Sequence, residues 1–91
     1  MQNDKEKFKK EFIGRLIKFS LDVIRFSDLN LTKYYSIKDQ LIKCSTSIGA
    51  NVVEAKSSSS KREYIKFFEI ALKSANETKY WLILSKEICS N

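Results

Sequence analysis

Residues 40–55, QLIKCSTSIGANVVEA, decide the fold. With Ile37 just upstream, apolar side chains fall at Ile37, Leu41, Cys44, Ile48 and Val52. That spacing of three and four marks one buried face of a helix. Ser47, Asn51 and Glu54 stand on neighbouring turns of the same helix. A polar group left unpaired in a buried seam costs about 1–3 kcal/mol, so these three are expected to find partners there. The stretch therefore specifies a way of packing helices and names no reaction.

Working outward, residues 5–26 carry Phe8, Phe12, Leu16, Phe19, Val23 and Phe26 on one face. A second row of Ile13, Ile17, Leu21 and Ile24 widens that stripe. So wide a stripe predicts a helix packed against more than one neighbour. Asp28, Asn30 and Thr32 read as a loop, with Thr32, or Ser36 with Asp39, starting the next helix. The run Ser57 to Ser60 breaks the chain again, because serine hydroxyls compete for the backbone. Ser60 and Glu63 have capping-box spacing. A third helix follows, with Tyr64, Phe67, Phe68, Ala71, Ser74, Ala75, Thr78, Trp81, Leu82 and Ile88 on its inner side. The predicted architecture is all-α: an antiparallel up-down bundle with helices over about 5–27, 33–56 and 60–89.

Composition agrees. Ninety-one residues make one small domain, 1–91, without Pro and with only Gly14 and Gly49. A chain of this size buries only about 60–65% of its unfolded surface, which makes self-association a natural remedy. Seventeen basic residues against eleven acidic ones give a net charge of +6. Such an excess attracts phosphate backbones or anionic membrane surfaces, and it also arises from a lysine-rich composition alone. Only Arg15, Arg25 and Arg62 are arginines, and bidentate phosphate recognition favours arginine. The N-terminus MQNDKEKFKK is polar rather than a secretory leader, and no window is apolar enough for a membrane span. A cytoplasmic protein without membrane partners is expected, with Cys44 and Cys89 as reduced thiols.

Catalysis is not expected. The chain has no His, so zinc sites of the usual Cys/His type and carboxylate–histidine di-iron sites are excluded. No metal, cofactor or small-molecule substrate is anticipated. Glu54 and Glu77 are the acids placed to lie inward, where a structural hydrogen bond or ion pair is the ordinary role. No Ser, Cys or Lys has a base beside it in a recognisable arrangement, and no glycine loop cradles phosphate.

Gln40-Leu41, Lys43, Ser47-Ile48, Asn51 and Glu54-Ala55 form the first half of a longer pattern. Glu63-Tyr64, Phe67-Phe68, Ile70-Ala71, Ser74, Glu77 and Leu82 form the second half. Together they resemble the bacterial four helix bundle family first noticed in intervening sequences of 23S ribosomal RNA genes. The resemblance covers about residues 36–84. It implies an antiparallel four-helix bundle assembled into a ring-like homo-oligomer, typically a pentamer. It also implies a fold shared with the basic accessory protein of diversity-generating retroelements, which binds a reverse transcriptase and RNA. By analogy Ser47, Asn51, Glu54 and Glu77 would be the polar members of the interhelix core. The chain departs from the pattern at Ala55, where the family has Gly, and at Gly49, where Pro is common. It also stops near the end of the third helix, so the fourth is expected to be missing or truncated, or its place filled by another subunit. An apolar groove would then be exposed.

Two functional expectations follow. The first is a non-enzymatic, oligomeric RNA- or ribonucleoprotein-binding module. Its phosphate contacts would come from Lys5, Lys7, Lys9 and Lys10 on the first helix and Lys61, Arg62 and Lys66 on the third. The second is a protein-interaction scaffold, such as a reverse-transcriptase accessory subunit, with Tyr34, Tyr35, Tyr80 and Trp81 as possible contacts.

Overall fold

The computed structural model describes residues 2–90, and these form three helices without strands. They are α1 (Gln2–Asn30), α2 (Tyr35–Lys56) and α3 (Lys61–Cys89), running up, down and up. The all-α bundle expected from the sequence is the one observed.

The helix ends differ from expectation by a few residues, each for a local reason. α1 continues past Asp28 to Asn30, where the Asn30 side-chain amide donates to the Phe26 carbonyl at 3.0 Å. The Leu31 amide then closes one more turn on the Ser27 carbonyl, and the Leu31 side chain is fully buried. α2 begins at Tyr35 rather than at 33, and neither Thr32 nor Ser36 caps it. Tyr34 occupies the cap position without a side-chain bond, its amide donating to the Leu31 carbonyl at 3.0 Å. A 2.8 Å ion pair from Lys38 to Asp28 ties the first turn of α2 to the end of α1. α3 starts as read: Ser60 Oγ accepts from the Glu63 amide at 3.1 Å. Glu63 reaches back to the Ser59 amide at 3.3 Å instead of the Ser60 amide, so the box is offset by one residue.

α2 is the shared element. It packs along most of α3 and over a shorter length of α1, whereas α1 and α3 scarcely touch. Small residues explain the close α2–α3 approach: Ala71, Ser74 and Thr78 of α3 are buried, and Ser47 and Cys44 of α2 meet Ser74 and Thr78. The densest core lies at the end holding the α1–α2 loop. There Val23, Leu31 and Leu41 are buried, and Phe19, Phe26, Ile37, Trp81 and Leu82 pack around them. Cys89 Sγ approaches the Asn30 carbonyl at 3.7 Å across this end, closing α3 onto α1.

The opposite end is open. The stripe of α1 was expected to be buried along its length, yet Phe8 is 68% exposed and Phe12 is 38% exposed. Ile17 and Leu21 of the second row are exposed as well. Tyr64, assigned to the inner side of α3, is about half exposed. The cause is the missing α1–α3 contact: at this end α1 has α2 on one side and no helix on the other.

Gly14 lies mid-helix on the exposed side of α1, and a Cβ added there meets nothing within 4 Å. Gly14→Ala is expected to stabilise the fold by about 0.5–1 kcal/mol. That corresponds to a rise in Tm of roughly 2–8 °C in a thermal melt of a chain this size.

Candidate nucleic-acid interface

The up-down-up topology brings the N-termini of α1 and α3 and the C-terminus of α2 to one end. Both expected cation clusters therefore meet: Lys5, Lys7, Lys9 and Lys10 with Lys61, Arg62 and Lys66. All are exposed. The three ion pairs among the described residues use Lys18, Lys38 and Lys43, so none of these seven is neutralised that way.

Between the clusters runs a groove of about 390 Å³. Phe8, Phe12 and Ile13 of α1, Val52 of α2, and Tyr64 and Phe68 of α3 line it. Its polar members are Lys9 and Lys56, and no carboxylate lines it. The rings come in two pairs. Phe8 and Phe12 stack with centroids 6.4 Å apart, and Tyr64 tilts against Phe68 at 4.9 Å. Each pair sits four residues apart on one helix, the spacing that places side chains on neighbouring turns.

The seven cations are not equivalent. Lys5 lies one turn before Lys9 and Lys61 three residues before Tyr64, which puts both on the groove side. Lys7 and Lys10 stand two residues from groove-facing positions, about 200° around the helix, and Arg62 and Lys66 do the same on α3. They face away from the groove. Lys56 was not singled out from the sequence. Its place at the last residue of α2, just before the serine break, is the signal that would have found it.

The polar positions of α2 divide. Ser47 and Asn51 belong to one network: Ser74 Oγ donates to Ser47 Oγ at 3.0 Å, and Asn51 Nδ2 donates to Ser47 Oγ at 2.9 Å and to the Ser47 carbonyl at 2.8 Å. This bond joins α2 to α3. Glu54 and Glu77, expected beside them in the interhelix core, are exposed on the chain and outside that network. Glu77 accepts from the Trp81 indole at 3.2 Å, within α3. Glu54 lines a second groove, about 500 Å³, between α1 and α2 on another face, with Ile17, Leu21 and Val53. Sequence reading also missed Ser45 and Ser85, which are fully buried because their hydroxyls return to their own helix at Ile42 and Trp81.

Among the described residues, no group of three or more His, Cys, Asp or Glu side chains is placed to hold a metal ion. No helix is long and apolar enough to cross a membrane. The two thiols are free but unlike: Cys44 is buried against α3 and Cys89 is exposed. Burial pushes the Cys44 thiol above its ordinary value of 9.0, and a hydrogen bond with Thr78 only partly offsets this. A raised value in the fold means the thiol contributes stability below about pH 9, and that contribution is lost as the pH climbs through the folded value. At neutral pH iodoacetamide is expected to label Cys89 quickly and Cys44 only as fast as the chain opens. Above pH 9.0 the wild-type chain should lose stability to urea faster than Cys44→Ala does.

Comparison with known proteins places this arrangement. The model of the 23S rRNA-intervening sequence protein family matches residues 9–90. A crystal structure from Bacteroides thetaiotaomicron VPI-5482, of a protein with unknown function from the S23 ribosomal protein family, superposes with a TM-score of 0.77 at 33% identity. The match covers 84% of this chain and 72% of that one. No curated protein matches. With the family model spanning α1 from Lys9 onward and all of α2 and α3, the chain belongs to the 23S rRNA-intervening sequence protein family.

Proposed function

We propose that this protein is a non-enzymatic, homo-oligomeric binding module that engages RNA or a ribonucleoprotein through the open end of its bundle. One observation carries the reading: the topology brings both cation clusters and Lys56 to one end of the bundle, where a groove is lined by Lys9 and Lys56 and by no carboxylate. Lysine ammoniums act on phosphate as point charges, so contact is with the backbone and has little sequence preference.

Self-association has its own support on a different face. Ile17, Leu21 and Val53 are each 43–57% exposed around the α1–α2 groove, where the second apolar row of α1 lacks the neighbour its width calls for. A second copy covering this row would supply that neighbour, and a pentamer is the number the family resemblance implies. The same exposed row would serve a protein scaffold, in which case a partner protein replaces the second copy there.

Anisotropy of a labelled structured RNA across a salt series tests the reading. Log affinity is expected to fall with log salt by roughly 0.7–0.9 per phosphate contact. Changing Lys5, Lys7, Lys9, Lys10, Lys61, Arg62 and Lys66 to Gln should abolish binding at moderate salt and flatten the slope. Unchanged binding by that variant, or no binding by the native chain at low salt, rejects it.

A further inference from the structure

Two exposed faces of the molecule complement each other. Ile65, Leu72 and Ile83 recur after seven and eleven residues, close to whole helical turns, and so form one stripe along α3. The stripe is turned away from α2: Leu72 and Ile83 stand two residues, about 200° around the helix, from Ser74 and Ser85, which are buried. Leu72 keeps 64% of its surface open, Ile83 55% and Ile65 48%, and none of the three lines the groove between α1 and α3. Arg62, Lys66, Lys73, Lys79 and Lys86 stand within about 100° of the stripe, against Glu69 and Glu87. This face is therefore an apolar ridge with basic borders. The groove between α1 and α2 is its converse. It holds about 500 Å³ beside Ile17, Leu21 and Val53, with Ser20, Gly49 and Ala50 leaving room between them. Glu54 is its one charged lining residue.

Resting on the self-association proposed above, we infer that the α3 stripe of one copy seats in the α1–α2 groove of the next, so that copies join head to tail. Charge decides between the possible pairings. Stripe against stripe sets one row of cations on another, and groove against groove sets Glu54 on Glu54; like charges brought together repel. Stripe against groove sets cations beside Glu54. Shape points the same way, because two concave surfaces leave a void, whereas a ridge of branched aliphatic side chains fills a groove with a small-residue lining. Both halves of the fit stand on one chain, which favours a second copy over a partner protein as the occupant. Joining two different faces leaves each copy with a free stripe on one side and a free groove on the other, so the contact repeats until a ring closes. The groove between α1 and α3 takes no part in it.

Light scattering of the full chain, native and variant, decides it. The native chain is expected to run at a multiple of the mass of one chain. Leu72→Glu spoils the ridge and Val53→Glu spoils the groove, and each should reduce the mass to that of one chain. An equal mixture of the two variants should form a heterodimer and nothing larger. The intact groove of the Leu72→Glu chain receives the intact stripe of the Val53→Glu chain, and no further contact is then possible. Both positions are at the surface, and circular dichroism melts show whether each variant is folded. Either variant keeping the native mass while folded, or a mixture that stays monomeric, overturns the inference and leaves self-association to another face. A native chain that is monomeric at every concentration removes self-association itself and leaves the α1–α2 groove to a partner protein.

Discussion

The structure depends on one constraint: α2 is the helix on which both of the others pack. Toward α3 it presents small residues and hydroxyls, with Ser47 bonded to Ser74 at 3.0 Å and Cys44 set against Thr78. Toward α1 it presents Leu41 at the closed end and Gly49 midway, where a Cβ would meet Leu16 at 3.5 Å. Because α1 and α3 hold to α2 rather than to each other, they meet only where Trp81, Leu82 and Cys89 reach the end of α1. Away from that end they part, and the groove between them is the result.

That geometry turns what reads as core sequence into surface. Phe8, Phe12 and Tyr64 have helical spacing suited to burial, and burying such rings would be worth a few kcal/mol each. Left open beside Lys9 and Lys56, they form a wall that is apolar and positively charged together. A small domain has little stability to spare, so exposure of this kind points to something that covers it. The two faces differ in their lining: the groove is aromatic and bordered by Lys9 and Lys56, and the row of Ile17, Leu21 and Val53 is aliphatic and stands beside Glu54.

Helix existence, order and approximate limits were legible because Leu41, Cys44, Val52 and Val23 carry a strong period and are buried as the period demands. The cap at Ser60 was legible because its bond is local, from one side chain to an amide three residues on. The start of α2 was not. Tyr34 caps without a side-chain bond, and the turn is fixed instead by the burial of Leu31, a long-range fact. Periodicity also says that a face is apolar without saying whether a neighbour covers it, which is why Phe8 and Tyr64 read as interior. Glu54 was read inward from its closeness to Asn51 in sequence, and Glu77 by analogy with the family pattern. A helix turns about 100° per residue, and that rotation carries both to the surface of the chain. The meeting of the two lysine clusters followed from topology, whereas the part played by Lys56 needed the groove itself.

The most direct test of α2 as the shared support is native-state hydrogen exchange on the full chain without RNA, resolved by residue. Opening free energy follows buried contact and hydrogen-bond shielding, so amides of residues 41–52 and 71–78 should exchange slowest, near the limit of global unfolding. Amides of residues 5–12 should exchange through a much less costly opening, since that part of α1 has no cover on its groove side. Protection over residues 5–12 equal to that over residues 41–52 would contradict the account, because it would mean that the open end of the bundle is closed in solution.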